Sequence, residues 1–397
     1  MFVAALAAAG GLAAALSLWA PRAPRTVPAP PPDGQTAIFR PAEFRDLPGW
    51  MEDDAVRALE PFLGTCRGLR RRAEDRPLGG AGELARLGGR ASAFRDACDE
   101  AERLAGRLLG PAPPPPEAGE AERQALARGF FERRFRVFAA GTGLVTGYYE
   151  PELRGAEYPT GAFQVPLHAP PFPAGGPLPD RSGIEAGALD GMGLELAWVD
   201  DPVDAFFLHI QGSGRLRLHD GRVLRVGYAG QNGHPYRAVG KLLIDSGAVP
   251  RERMSMQAIR AWLAAAAPGE AAAALRHNPS YVFFRAVEGL DPGQGAPGAL
   301  GVPLTPGRSL AVDPAFIPYG APVFVATRDP VDGSPIRRLL HAQDTGGAIR
   351  GPARGDLYWG WGEAAAERAG RMREAAEVFV LVPREPGESV QAAAGGG

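Results

Sequence analysis

The sequence predicts a mainly β protein with accessory helices, arranged as two strand-rich halves on either side of Phe284. Three observations carry this. From Gly143 onward, short β-favouring runs alternate with Gly, Pro and Asp, the pattern of an all-β sheet or barrel. Asp220-Gly221 sits between two such runs and is a strong hairpin signal. A second series of strand-like runs begins near Gly301. At 397 residues the chain is long enough for two domains. Its 45% hydrophobic and 22% charged residues are ordinary for a globular protein, and a net charge of −2 without basic runs argues against nucleic acid as a partner.

Taken in order, Phe2 to Ala20 is an almost unbroken apolar run that Pro21, Arg22 and Pro24 end. It is just long enough to span a bilayer, so 1–26 is expected to be a cleaved signal peptide or a retained anchor, either of which means export. Residues 27–36 form a proline-rich linker, and folded sequence begins near Ala37. Val56, Leu59, Leu63 and Cys66 keep helical spacing despite Pro61, and Phe94, Cys98, Ala101, Ala105 and Leu108 do the same. Each helix places its cysteine on the apolar stripe. In an exported chain this pair predicts a Cys66–Cys98 disulfide, with buried free thiols as the alternative. Pro111 to Pro116 interrupts, and a third helix from Gly119 carries Phe130, Phe131 and Phe135.

The predicted strands are Leu144 to Glu150, Phe163 to Leu167, Trp198-Val199, Ala205 to Gln211, Arg215 to Leu218 and Val223 to Val226. Helices follow over Arg237 to Asp245 and over Met256 to Ala265, the latter opened by Ser255, before a strand from Tyr281 to Phe284. The last section has strands at Leu310 to Val312, Pro322 to Ala326, Arg337 to Gln343 and Glu377 to Val382, and a helix at Glu363 to Arg373. Residues 387–397 read as a disordered tail.

No histidines pair at metal-ligand spacing, two cysteines fit no zinc pattern, and no phosphate-binding glycine motif opens a helix after a strand, so neither metal nor cofactor is expected. What stands out is His341 to Ala365. It holds Asp344 and Asp356, four glycines between them including Gly347, and Tyr358, Trp359 and Trp361 just after. Glycines allow close approach of backbone to a ligand, and flat rings suit a sugar. A carboxyl group beside apolar rings can hold its proton into the neutral range, and Leu357, Tyr358 and Trp359 are the candidates for that surrounding. The alternative is that these are turn aspartates. Three further stretches are rich in groups that read hydroxyl and acetamido substituents: Thr146 to Glu150 with Tyr149, Gln211-Gly212-Ser213, and the loop around Gln231.

The blocks TGYYEP, HIQGSGRL, YAGQNGHPYRAVGKLLID, MSMQAIRAW, NPSYVFF, SLAVDPAFIPYGAPVFV and QDTGGAIRGPARGD occur in this order within residues 140–382. Together they resemble the membrane-bound lytic murein transglycosylase A family. Ser309 to Asp356 also resembles the smaller three-aspartate module, with Asp313, Asp344 and Asp356 as its aspartates. The resemblance implies a double-psi β-barrel domain (37–150 joined to 287–386), an inserted second β-barrel domain (151–286), and a groove between them for a glycan strand. It implies a monomeric, exported lytic exotransglycosylase of the periplasm, membrane-associated or facing the outer membrane. Such an enzyme cuts between N-acetylmuramic acid and N-acetylglucosamine and leaves a 1,6-anhydro end. The residues themselves do not distinguish cutting within chains from cutting at ends. By motif position Asp356 is the single catalytic acid and then base, and Asp344 a supporting carboxylate. The chain departs from the enterobacterial members in having no cysteine before Cys66, which leaves the mode of anchoring open. A two-carboxylate glycan hydrolase and a non-catalytic, expansin-like wall-binding protein are the competing readings.

Overall fold

The computed structural model describes residues 39–109, 119–171 and 178–385. The N-terminal apolar segment, its linker, the proline run at 111–116, the middle of the Pro/Gly-rich loop near 169–179 and the tail from 387 lie outside these residues.

In chain order the elements are β1 (Arg40–Ala42), α1 (Ala55–Arg70), α2 (Gly82–Gly88), α3 (Arg95–Leu108), α4 (Glu120–Arg134), β2 (Phe135–Glu150), β3 (Glu152–Ala156) and β4 (Val165–His168). Next come α5 (Arg181–Glu185), β5 (Glu195–Val199), α6 (Pro202–Gln211), β6 (Ser213–Leu218), β7 (Val223–Gln231), α7 (Val239–Asp245), α8 (Met256–Ala265), α9 (Pro268–Arg276) and β8 (Val282–Ala286). The last are β9 (Ser309–Val312), β10 (Pro322–Arg328), β11 (Pro335–Asp344), β12 (Gly355–Trp361), α10 (Glu363–Arg371) and β13 (Arg373–Pro383).

Strands β2, β12, β9, β11, β10 and β13 pair in that order, and β13 pairs back onto β2, so the ladder closes into a six-stranded barrel with β1 added outside β2. Closure removes the unpaired edges that an open sheet exposes. Alternate residues point inward, and the interior is filled by Val145, Leu310, Val312, Val323, Leu340, Leu357, Val378 and Val380. On one outer face α1, α3 and α4 bury a second core, in which Phe62 meets Phe130, Phe131 and Phe135 at ring separations of 5.5 to 5.9 Å. Asp54 caps α1 by accepting from the Arg57 amide at 2.9 Å. Cys66 and Cys98 join α1 to α3 as a disulfide, with Cα atoms 5.5 Å apart.

The chain leaves the barrel after Glu150 and returns before Ser309. Between them lies a second sheet in the order β4-β5-β3-β6-β7-β8. A 2.8 Å hydrogen bond between His168 Nδ1 and the Tyr281 hydroxyl brings its two ends together. The turn at Asp220-Gly221 joins β6 to β7, with Gly221 at φ 86° and the Leu218 amide donating to the Arg222 carbonyl at 2.8 Å. Helices α6 to α9 cover this sheet through Phe206, Phe207, Val239, Leu243, Leu263 and Leu275.

Four differences from the sequence reading have physical causes. Ala205 to Gln211, expected as a strand, is helix: Asp201 accepts from the Val203 amide at 2.7 Å, Pro202 starts the first turn, and Gly212 at φ 76° ends it. Ala205 to His209 are all buried, so no period shows in the sequence. Phe135 opens β2 rather than continuing the helix. Helices α2, α5 and α9 were not anticipated, being short or, for α9, a low-contrast run of alanines. The strand that carries Asp356 was also missed, because Gly355, Asp356 and Gly360 are poor strand formers whose place is set by their neighbours.

Removing the Cys66–Cys98 link, which closes a loop of 32 residues, frees the unfolded chain by roughly 3 to 4 kcal/mol. A Cys66→Ala, Cys98→Ala double variant is expected to melt at lower temperature by a corresponding amount while keeping its circular dichroism spectrum.

Candidate active site

One row of residues crosses four neighbouring strands. Thr146 on β2 pairs with Asp356 on β12, Asp356 pairs with Ala311 on β9, and Ala311 pairs with Asp344 on β11. Paired residues project to the same face, so both carboxyl groups stand on the outer face of the barrel with a small alanine between them. Asp344 reaches this face through a bulge. Ala342 pairs with Leu310 but Asp344 pairs with Ala311, so one extra residue moves Asp344 off the interior face that Ala342 occupies.

The hydroxyl of Thr146 donates to Asp356 Oδ1 at 2.5 Å and itself accepts from Arg354 Nη2 at 2.9 Å. The Arg354 cation thus reaches the carboxyl group through a hydroxyl rather than as a direct ion pair. Burial raises the Asp356 pKa most, the Thr146 hydrogen bond and Arg354 pull it down, Asp344 pushes it up again, and the result is about 6. The residue as a whole keeps part of its surface, while the carboxyl itself is deeply placed. Asp344 is also raised by burial, offset by the Tyr148 hydroxyl, which donates to Oδ2 at 2.8 Å, and the Ala299 amide, which donates to Oδ1 at 2.9 Å. Burial and then Asp344 hold Tyr148 well above the usual phenol range, so it remains a donor.

The third aspartate has a different place. Buried Asp313 accepts from the Ala315 amide at 3.1 Å and the Gly351 amide at 2.9 Å. Gly351, at φ 109°, is a conformation that favours glycine. With Thr345, whose hydroxyl donates to the Val312 carbonyl at 2.8 Å, this pins the loop that delivers Arg354.

The other predicted residues divide. Tyr149 lies on the face opposite Thr146, buried against Ala365 and Ala369 of α10; its neighbour Tyr148 is the tyrosine that reaches the row. Strand alternation from Thr146 was the signal that could have found Tyr148. Gln211 accepts from the Tyr149 amide at 3.1 Å and so latches the end of α6 to β2. Gly212 ends α6, Ser213 opens β6 and remains part-exposed, and Gln231 is exposed at the end of β7. Gly347 is exposed in the loop before β12, where an added Cβ meets nothing within 4 Å. Leu357 faces the barrel interior and Trp359 packs on Gly147 and Met372, so neither dries Asp356. Tyr358 shares the face of Asp356, its ring 5.3 Å from that of Tyr148. Arg354 and the Ala299 amide carried no sequence signal. Two surface cavities, of about 310 Å³ beside Arg57 and Arg338 and of about 1030 Å³ beside Thr142 and Asp329, lie away from the row. Among the described residues no group of three His, Cys, Asp or Glu side chains could hold a metal ion.

Residues 144–285 match the family described as the MltA specific insert domain, and residues 308–382 match the 3D domain. Membrane-bound lytic murein transglycosylase A of Escherichia coli (strain K12) is 40% identical over 244 residues, which are 59% of this chain and 64% of that protein. The match therefore spans less than two thirds of that relative's length. The crystal structure of the membrane-bound lytic murein transglycosylase from Agrobacterium tumefaciens superposes with a TM-score of 0.74 at 36% identity, covering 87% of this chain and 98% of that one. That of E. coli MltA with bound chitohexaose gives 0.63 at 28% identity, covering 88% and 93%.

A carboxyl group whose folded pKa is raised contributes stability that is present below its unfolded pKa and lost as pH rises through the folded one. For Asp356 that window runs from 3.8 to about 6. Asp356→Asn removes the titration, so above pH 7 it is expected to be about 3 kcal/mol more stable than wild type, with the advantage gone by about pH 3. Thermal melts at the two pH values check this.

Proposed function

The chain belongs to the membrane-bound lytic murein transglycosylase A family, and from that we propose that it cleaves the β-1,4 bond between N-acetylmuramic acid and N-acetylglucosamine in peptidoglycan, with Asp356 as the one group that is first acid and then base. The carrying observation is the Asp356 carboxyl, set on the outer face of the barrel and held by its surroundings at a pKa of about 6. A group that must give a proton and take one back works best with a pKa near the working pH.

In the first step Asp356 donates its proton to the glycosidic oxygen, the bond from that oxygen to C1 breaks, and the N-acetylglucosamine side leaves as an alcohol. Positive charge builds at C1 of the muramyl ring. The C6 hydroxyl of the same sugar then attacks C1 and gives its proton to the Asp356 carboxylate. The product is a 1,6-anhydro end, no water is consumed, and the acid is restored. Ordinary glycosidases need a second carboxyl group to supply a nucleophile or activate water. Here the substrate brings its own nucleophile.

Asp344 supports this reading in a lesser role. Each of its oxygens already accepts a hydrogen bond, from Tyr148 and from Ala299, which suits a fixed negative charge facing the developing cation. The runner-up, a hydrolase using both carboxyl groups, draws on their shared row. The E. coli relative solved with chitohexaose suits a glycan partner for this chain too. The apolar N-terminal run and the membrane-bound relatives favour export and a periplasmic, membrane-associated location, where a monomer works on glycan strands. Among the described residues no helix is long and apolar enough to cross a membrane.

Asp356→Asn is expected to lose about a hundredfold or more of its turnover with the fold intact, and Asp344→Asn to lose less. Mass spectrometry of soluble muropeptides should show products one water lighter than those of hydrolysis; hydrated ends alone would instead identify a hydrolase. Activity depends on the protonated acid, so kcat/KM is expected to fall as pH rises past about 6. Thr146→Val removes a bond that lowers the Asp356 pKa, so the falling limb should move to higher pH.

A further inference from the structure

Glu150 is the last residue of β2 and has no exposed surface. Arg225 Nη2 donates to its two oxygens at 2.9 and 3.1 Å, and Arg215 donates to Oε2 through Nε and Nη2, both at 3.3 Å. The two arginines face each other directly across β6 and β7 and are themselves buried. Like charges set opposite one another repel, so this pair is tolerable only with a carboxylate placed between them. The carboxylate comes from the barrel and the arginines from the insert. Arg215 also donates to the carbonyls of Pro292 at 3.0 Å and Gln294 at 2.9 Å, on the returning chain, and lies over the Trp361 ring at 3.8 Å. One cluster therefore touches the outgoing strand, the insert, the returning chain and β12.

The cluster also leads to the carboxyl row. The Tyr358 hydroxyl donates to Glu150 at 3.3 Å, the Tyr358 ring packs on Tyr148, and Tyr148 donates to Asp344. Close by, Gln211 grips the Tyr149 amide, one residue before Glu150. Buried ion pairs add little to stability over apolar side chains of similar size, and their best-attested use is to specify one arrangement among several.

We propose that Glu150, Arg215 and Arg225 are positioning residues that fix the insert corner at Gln211 to Ser213 against the row of Asp356 and Asp344, and thereby align a glycan strand lying across both units. This rests on the glycan-cleaving reading, and two readouts keep the two ideas apart. Glu150→Gln leaves two buried guanidiniums without a counter-charge and can fail to fold. The test is therefore the triple variant E150M/R215M/R225M, which buries no charge. Spin labels at V223C and D332C, one on each unit and both exposed, report the inter-unit distance without any assay, the native cysteines being bonded to each other. The triple variant should keep one cooperative melting transition, broaden or shift a distance distribution that is single and narrow in the parent, and lose at least tenfold in kcat/KM on peptidoglycan. Its KM should rise, and the loss should persist well below the melting temperature. The pH at which activity falls should stay where it is, since Asp356 and Thr146 are untouched. An unchanged distance distribution, or wild-type kcat/KM, overturns the proposal. Absence of anhydro product from the unmodified protein sinks the functional reading instead, and leaves the distance measurement to decide on positioning.

Discussion

The place of Asp356 rests on strand register. β12 is hydrogen-bonded on both sides, parallel to β2 and antiparallel to β9, and the same ladders that set Asp356 beside Thr146 and Ala311 set Leu357 beside Gly147 and Leu310. A slip of one residue would exchange them, putting a carboxyl group among Val145, Leu310 and Val312 and a leucine in the site. Burying Leu357 favours the observed register by about 2 kcal/mol, and burying an unpaired charge would oppose the slipped one by more. The apolar packing of the barrel thus also places the Asp356 carboxyl on the outer face. The bulge in β11 serves Asp344 in the same way.

Two buried carboxyl groups in this chain receive opposite treatment. Glu150 meets two guanidiniums and a phenol and has no surface. That is a side chain held by ion pairs to two arginines. Asp356 receives one hydroxyl, and the nearest cation reaches it only through that hydroxyl. With charge compensation kept at one remove, desolvation prevails and the proton is held to about 6. The contrast in charge compensation supports reading Asp356 as the carboxyl that exchanges a proton and Glu150 as the one that organises structure.

Much of the architecture was legible in the sequence because it depends on local patterns. Short β-favouring runs set off by Gly, Pro and Asp marked β9, β10, β11 and β13, Ser255 marked the start of α8, and Asp220-Gly221 marked the hairpin. Asp356 and Asp344 were found through their glycine-rich setting, although the strand carrying Asp356 was not. What stayed hidden depends on partners distant in sequence. Tyr148 and Asp344 lie 196 residues apart, and Arg354 matters only because Thr146, 208 residues away, relays its charge. The expected drying by Leu357 and Trp359 failed on parity, since residues next to Asp356 along a strand face the other way. The helix α6 was misread because a segment buried all round has no period.

Position and acid strength are controlled by different parts of the fold. Asp356 sits within a ladder, where movement costs hydrogen bonds on two sides. Arg354 sits at the end of a loop held by the Asp313 carboxyl, the Thr345 hydroxyl and the positive φ of Gly351. A side chain on a strand keeps its geometry more closely than one on a loop, which suits the group proposed as acid and base. Asp313 therefore bears on Asp356 through the loop: it holds the segment that carries Arg354, one of the groups that lower the Asp356 pKa against its burial.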